Sequence, residues 1–242
     1  ANVTTLNVLG FNESEEDVDF GENPDGSLID LGLPSGLLWA DRNLGASSIE
    51  DPGLYFQWGE LNGWTAEQIS NGEKVFDFAN YWDAIDDTGQ NYNKYNIVKN
   101  GELSLKIEDD AVHNLKGDGW RMPTDKEIEE LVDNTTYVFI KMDGTETNDK
   151  TTSKIKGFKL ISKINGKSIY FPAGGCAMDN SLWGVNEWGG VISSHLDIPS
   201  YNNLDDFKYI RCLSGRNKFG VEGVGTVERS WGCNIRGVYK QP

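Results

Sequence analysis

Apolar residues in this chain occur in short segments rather than in long runs. From Ser27 onward, Gly, Asn, Asp or Pro interrupts these segments about every eight to twelve residues, a spacing typical of strands joined by turns. The pattern therefore predicts a sheet-rich domain with long loops over residues 27–242, preceded by a separate segment over residues 1–26.

Two alternating segments predict a β-hairpin. Residues 158–164 and 167–171 flank Asn165-Gly166, the pair that best tolerates the positive φ angles of a type I′ turn. Pro172 follows the second segment, and because proline cannot donate a ladder hydrogen bond, the strand should end there. Further strands are expected around two other segments, residues 36–41 and 207–214.

One helix has a clear start signal in the sequence. Thr124 stands three residues before Glu127, so its hydroxyl can accept from a free backbone N–H while the carboxylate reaches back. The apolar residues that follow fall on one helical face: Ile128, Leu131 and Val132. This helix should end near Asn134, and a second one is expected within residues 65–72.

The charge of the chain excludes two classes of partner. The formal net charge is −16, and the first 41 residues carry nine acidic groups and no Lys or Arg. Such a field repels phosphate backbones and anionic lipid headgroups, so we expect no nucleic-acid partner and no direct membrane insertion. The chain also lacks the run of about 18 apolar residues that a membrane-spanning helix needs. The acidic segment 1–26 is interpreted as an arm or linker, either a solvated tail or a docking strand.

The sequence gives little support to catalysis. Cys176, Cys212 and Cys233 are too widely spaced for a zinc site, and they allow at most one disulfide within the chain. Their redox state stays open at this point. Of the two histidines, His195 follows two serines, but no third partner is identifiable. We therefore expect a non-catalytic protein in which Cys212 is buried.

Three consecutive carboxylates, Glu108, Asp109 and Asp110, form a weak candidate for a metal site. Calcium binds six to eight oxygens of this kind, which makes calcium the only cofactor under consideration. The alternative is that these side chains accept hydrogen bonds from backbone N–H groups at a turn or helix end. They lack the spacing of an EF-hand loop, and the sugar-binding triplets Glu-Pro-Asn and Trp-Asn-Asp of calcium-dependent lectins do not occur.

Residues 178–203 form the best candidate for ligand binding, because they combine tryptophan and tyrosine rings with amides in a setting rich in Gly and Ser. Rings offer a flat apolar face to a sugar or peptide, and amides supply both donors and acceptors. The candidate residues are Asp179, Asn180, Trp183, Asn186, Trp188, Tyr201, Asn202 and Asn203. The alternative is that the two tryptophans only cover the core beneath long loops.

A series of motifs resembles a known family. Residues 30–46, DLGLPSGLLWADRNLGA, are similar to the opening motif of the Fibrobacter succinogenes major paralogous domain family. The resemblance continues in order through YFQWGE, EDDA, GWRMPT and YFPAGG, and spans residues 28–238. Near the end the chain departs from the family pattern, with ISS in place of WSS and GCNIRGV in place of GFSVRPV.

The resemblance implies an α+β domain with a C-type lectin-like fold: a twisted antiparallel sheet, one or two short helices and long loops. It implies non-catalytic recognition or adhesion, with a glycan or protein bound at a bacterial surface, and hence an extracellular or outer-surface location. One alternative is a phage virion protein, structural or receptor-binding, in which the arm would hold a homotrimer. A more distant alternative is an enzyme resembling formylglycine-generating enzymes, whose closely spaced cysteine pair this chain does not reproduce. The related phage proteins build their binding face from the last portion of the chain, which adds weaker candidates: Arg216, Asn217, Lys218 and Trp231.

Three tryptophans lie inside the resembling motifs, and we expect their rings in the core with each indole N–H hydrogen-bonded: Trp39, Trp58 and Trp120. Two structural ion pairs are expected beside them, Arg42 with Asp41 and Arg121 with Asp118.

Overall fold

The computed structural model describes residues 27–88, 91–96, 101–149, 152–197, 208–216 and 220–240. Its strands are β1 Leu28–Asp30, β2 Leu38–Ala40, β3 Tyr55–Phe56, β4 Trp120–Arg121, β5 Thr135–Lys141, β6 Glu146–Thr147, β7 Ile155–Ser162, β8 Ser168–Pro172, β9 Cys176–Met178, β10 Ser181–Trp183, β11 Trp188–Leu196, β12 Tyr209–Arg216, β13 Gly220–Glu228, β14 Cys233–Asn234 and β15 Val238–Tyr239. The helices are α1 Ala66–Ser70, α2 Ala111–Lys116 and α3 Asp125–Asp133, with a 3-10 turn at Ile107–Asp109. The predicted acidic arm, residues 1–26, lies outside the described residues.

The strands of the described residues form several small antiparallel sheets. Two sheets have four strands, in the orders β1-β2-β15-β4 and β6-β5-β7-β8, and one has three, β11-β12-β13. Two further pairs are β10-β9 and β14-β3. This architecture is consistent with an α+β or mainly β fold. It differs in two respects from our expectation, because the strands are divided among several sheets and the described residues contain three α-helices rather than one or two.

The predicted helix is confirmed as α3. Thr124 accepts from the N–H of Glu127 at 3.2 Å, and the Glu127 carboxylate accepts from the N–H of Thr124 at 2.9 Å. Ile128 and Leu131 are fully buried, and the helix ends at Asp133 with Asn134 as its C-cap. The second predicted helix is confirmed as α1, which has its own capping box between Thr65 and Gln68.

The predicted hairpin is confirmed as β7 and β8, but its turn is not type I′. Five residues, 163–167, connect the strands, and within them only Gly166 has a positive φ, of 76°. The Ser162 hydroxyl accepts from two N–H groups of this loop and donates to the carbonyl of Leu31 at 2.7 Å. The Asn165 amide donates to the carbonyl of Asp30 at 2.9 Å. The longer loop therefore forms because it docks on the segment after β1, which the local sequence does not encode.

The β11-β12-β13 sheet separates two cores. Alternate side chains of a strand point to opposite faces, so Val191 and Leu213 join one core while Ile192 and Cys212 join the other. The first core also contains Trp39, Leu131, Phe139, Phe158 and Val238. The second core contains Phe56, Trp58, Val112, Cys233 and Ile235. Both faces of this sheet are therefore covered, and Trp188 and Arg216 pair at one end of its first two strands, β11 and β12.

The three motif tryptophans behave differently from one another. Trp58 is fully buried and its Nε1 donates to the carbonyl of Ser193 at 3.0 Å, as expected. Trp39 is also fully buried, but its N–H has no hydrogen-bond partner within the described ranges, so that prediction was wrong. Its ring lies in the first core, where the neighbouring side chains are apolar. Trp120 is only half-buried and packs beside Tyr239, with Lys116 above its ring.

One of the two expected ion pairs has a different partner. Arg42 pairs with Asp41 at 3.0 Å, as predicted. Arg121 instead binds the Glu127 carboxylate with two nitrogens, at 2.7 and 2.6 Å, and Asp118 is exposed. Glu127 stands in the first turn of α3, so the fold carries its carboxylate to the end of β4.

Candidate recognition surface

The candidate binding residues begin on the hairpin formed by β9 and β10. In this hairpin Trp183 lies opposite Cys176, and Asp179 and Asn180 form the turn. Asp179 has a left-handed φ of 53°, and its backbone pairs with that of Phe76 through bonds of 2.7 and 3.1 Å. The turn is thereby attached to the loop after α1, and the Asn180 side chain is exposed.

A tight turn over residues 184–187 connects β10 to β11. Asn186 occupies a left-handed φ of 63°, its N–H donates to the carbonyl of Ala173, and its own carbonyl accepts from Ile155 at 2.7 Å. Asparagine tolerates this region better than most residues. The position of Asn186 in the fold thus depends on its backbone, which holds the turn against β7 and the end of β8.

Trp188 opens β11 and is fixed in orientation. Its Nε1 donates to the Ser214 hydroxyl at 2.8 Å, and its half-buried ring packs against the second core. Arg216, at the end of β12, pairs with Trp188 across the sheet and places its guanidinium 5.7 Å from the centre of the ring. This arrangement holds a cation beside an aromatic face.

The hairpin and the three-stranded sheet meet at Cys176. The N–H of Gly175, the residue before Cys176, donates to the carbonyl of Trp188 at 2.8 Å. Burial raises the pKa of the Cys176 thiol to about 12, while the positive charge of Arg216 acts in the opposite direction. Trp183 lies directly across from Cys176 and is 57% exposed. We define the hairpin surface as Trp183, Trp188 and Arg216: the two tryptophans flank the 184–187 turn, and Arg216 pairs with Trp188 across the sheet.

The hairpin surface offers a specific combination of chemistry. An exposed indole can stack on the apolar face of a sugar ring or on an aliphatic or aromatic peptide side chain. The guanidinium supplies fixed donors to hydroxyl, carbonyl or carboxylate oxygens. Ser214 restrains Trp188, so less conformational entropy is lost when a ligand contacts that ring.

Other candidate residues stand apart from this surface. The Asp179-Asn180 turn lies at the far end of β10, about 10 Å from Trp183 at ~3.4 Å per residue. Trp231 is half-buried and packs against the second core from the bend that precedes β14. Five candidates fall outside the described residues: Tyr201, Asn202, Asn203, Asn217 and Lys218.

The three consecutive carboxylates have separate roles. Glu108 is exposed and lies 3.5 Å from Lys94, which also pairs with Asp109. Asp109 accepts a short hydrogen bond from the Tyr95 hydroxyl. Asp110 is buried, and its side chain caps the N-terminus of α2. Among the residues that the structure describes, no group of three or more His, Cys, Asp or Glu side chains is arranged to hold a metal ion. The weak calcium prediction is therefore unsupported by the geometry.

The two candidate catalytic residues lie in packed surroundings. Cys212 is 1% exposed in the second core, as expected. His195 Nδ1 lies 3.1 Å from the Ser194 hydroxyl, which donates to the carbonyl of Pro123 at 3.3 Å. The tautomer of the imidazole sets which of His195 and Ser194 donates in this contact. Burial also lowers the pKa of His195.

Sequence reasoning missed several participants. Ser214 orients Trp188, and Val185, 38% exposed, extends the apolar area next to Trp183. Neither residue carries a distinctive signal, since a serine in a strand and a valine in a turn are common. A cleft of about 310 Å³ was also missed, and none of the candidate residues lines it. It lies beside α1 and is lined by Gly45, Asp51, Pro52, Gly53, Leu54, Tyr55, Thr65, Ala66 and Glu67.

Comparisons of the chain with protein families, with curated proteins and with solved structures found no match. In the described residues no helix combines the length and the apolar character needed to cross a membrane.

Proposed function

We propose that this chain is a non-catalytic recognition domain that binds a glycan or protein at a bacterial surface through the hairpin surface. The observation that carries the proposal is the exposed ring of Trp183, 57% accessible, on the turn that leads into the restrained ring of Trp188 with the guanidinium of Arg216 beside it. Large aromatic side chains left exposed on a folded surface are a typical feature of ligand-binding sites. The net charge of −16 favours such a ligand over a nucleic acid.

We also propose the C-type lectin-like fold for residues 27–242. Antiparallel strands, short helices and long connecting segments support the coarser part of that assignment. The sheet β1-β2-β15-β4 brings the first and last strands of the domain together. Loops that extend from a sheet of this kind are well placed to carry binding residues. An extracellular or outer-surface location follows from the same proposal.

Binding to a glycan array and to bacterial cell-wall fractions tests the function. Trp183→Ala and Trp188→Ala should each weaken retention at least tenfold, the loss expected when about 1.4 kcal/mol of contact energy is removed. Leu115→Ala is the matched control, because Leu115 is 58% exposed on α2 and lies in another element. It should bind as the unmodified protein does.

Circular dichroism and thermal melting of the same variants separate loss of binding from loss of folding. Trp183 is largely exposed, so its replacement should leave the melting temperature nearly unchanged. If both tryptophan variants are retained on the arrays and cell-wall fractions as well as the unmodified protein, the hairpin surface is not the binding site.

A further inference from the structure

Strand β9, which pairs with β10 in the recognition hairpin, has a second neighbour besides β10. Ala177 of β9 pairs with Gly232, and the two residues exchange both hydrogen bonds, at 2.7 and 2.9 Å. This exchange defines a hydrogen-bonded pair of an antiparallel ladder. One step along, Cys176 and Cys233 therefore face each other in the non-hydrogen-bonded position.

That position brings the two thiols to bonding range. Residues in a non-hydrogen-bonded antiparallel pair have Cα atoms about 4.5 Å apart and side chains on the same face. Disulfides occur at Cα separations of about 4.4–6.8 Å. Both cysteines are buried in the second core, and both are thiols in the structure. Burial chiefly raises the pKa of Cys233, and Cys176 and Cys212 both add to this effect.

We propose that Cys176 and Cys233 form a disulfide under oxidising conditions, cross-linking β9 to β14. In this reaction each thiol loses its proton, a sulfur–sulfur bond forms, and the two electrons pass to a small-molecule disulfide, which is cleaved to two thiols. Cys212 lies on β12 in another sheet, where Ile192 and Gly225 are its cross-strand neighbours. It is the thiol that remains.

The cross-link would anchor the recognition hairpin to the end of the chain. Trp183 is opposite Cys176 in β9-β10, and Cys233 is opposite Phe56 in β14-β3. One row of cross-strand neighbours on β10, β9, β14 and β3 thus contains, in order, the exposed Trp183, the two cysteines and the fully buried Phe56. Closing the bond in the middle of this row restricts the motion of the hairpin relative to the second core.

The raised pKa values determine how the bridge forms. At neutral pH both thiols are protonated in the folded protein, because burial raises the pKa of Cys176 to about 12 and raises that of Cys233 well above its usual value. Only the thiolate attacks a disulfide. Oxidation of the folded chain should therefore be slow, and oxidation during refolding should be fast.

The experiment uses the full chain, refolded from denaturant in a glutathione redox buffer and in dithiothreitol. Each sample is denatured, alkylated and weighed by mass spectrometry. The refolded, oxidised protein should take up one label where the reduced protein takes up three, and peptide mapping should join the peptides of Cys176 and Cys233. Three labels, a glutathione adduct in place of the bridge, or a bridge that includes Cys212 would each overturn the proposal.

Variants make the pairing unambiguous. Cys212→Ser should refold to a form that takes up no label after oxidation, whereas Cys176→Ser should retain two. The oxidised unmodified protein should also unfold at a higher urea concentration than the reduced protein, because the bridge restricts the unfolded chain. If Cys176→Ser fails to fold, the peptide map of the unmodified chain still decides the pairing.

Discussion

Asp110 provides the sharpest distinction between a structural carboxylate and a metal ligand. Its carboxylate is 4% exposed and accepts three backbone N–H bonds. One oxygen accepts from Val112 and His113 at 2.9 and 3.1 Å, and the other accepts from Met122 at 2.8 Å. Burial is the main reason that the pKa of Asp110 is raised, and these bonds offset part of that effect. The side chain thereby joins the start of α2 to the segment after β4.

The cost of removing this carboxylate can be estimated from its bonds. Loss of the N-cap of a helix costs about 0.5–2 kcal/mol, and leaving the buried N–H of Met122 without an acceptor costs about 1–3 kcal/mol. Relief of a buried charge offsets part of the total. We therefore expect Asp110→Ala to lower the free energy of unfolding by about 3 kcal/mol, which corresponds to about 6–12 °C in melting temperature for a domain of this size.

Two further variants separate the contributions. Asp110→Asn keeps one acceptor oxygen for the α2 cap but turns an NH2 group toward the Met122 N–H, so it should cost about 1–3 kcal/mol. Glu108→Ala is the control, because the Glu108 side chain is 61% exposed and makes only a 3.5 Å contact with Lys94. A surface pair of this kind contributes about 0–1 kcal/mol.

Urea titrations and thermal melts, each with added calcium and with a chelator, test the assignment. The expected result is a large loss for Asp110→Ala, a smaller one for Asp110→Asn, and no calcium dependence in any of the proteins. The reasoning would be refuted if calcium raised the melting temperature of the unmodified protein and Asp110→Asn abolished that rise. Equal stability of the Asp110→Ala and Glu108→Ala variants would refute it as well.

Three other predictions concern stability. Trp58→Phe should destabilise the protein by about 1–3 kcal/mol more than Trp39→Phe does, because only Trp58 loses a hydrogen bond with its indole N–H; matched urea titrations check this, and equal losses would contradict it. Asn186→Gly should retain stability and ligand binding, whereas Asn186→Ala should lose about 1–2 kcal/mol at the φ of 63°; selective loss of binding in Asn186→Gly would show that the amide itself contacts the ligand. Burial alone would raise the pKa of Glu127, but the hydrogen bonds and charge of Arg121 lower it below the usual 4.5. The stability from this pair is therefore present above about pH 4.5 and is lost as the pH falls through the lower pKa of the folded state. The stability difference between the unmodified protein and Glu127→Gln should be largest at pH 7 and shrink in acid, as urea midpoints at both pH values would show; a constant difference would contradict the pairing.

The elements predicted correctly have signals within a few residues of one another. Thr124 and Glu127 cap α3 because both partners belong to the same helical turn, and no distant residue is needed. The alternating segments around residues 158–171 form β7 and β8 for the same reason. Burial of Trp58 and Cys212 was also predictable, since large apolar and thiol side chains are usually inside.

The remaining features depend on residues far apart in the chain. The loop between β7 and β8 is longer than a two-residue turn because the Ser162 and Asn165 side chains donate to backbone carbonyls near residue 30. Arg121 pairs with Glu127 and not with Asp118 because α3 folds back toward β4. Such partners are set by how elements dock, which local patterns do not report.

By itself, the sequence determined the helices α1 and α3 and the hairpin strands β7 and β8, and which aromatic and amide residues are available for recognition. Only the tertiary structure decided that Arg216 lies beside Trp188, that Trp183 is opposite Cys176 and that Cys176 faces Cys233. The physical reason is strand register: a shift of one residue moves every side chain to the opposite face. In these short strands, register is set by contacts between segments that lie far apart in the chain.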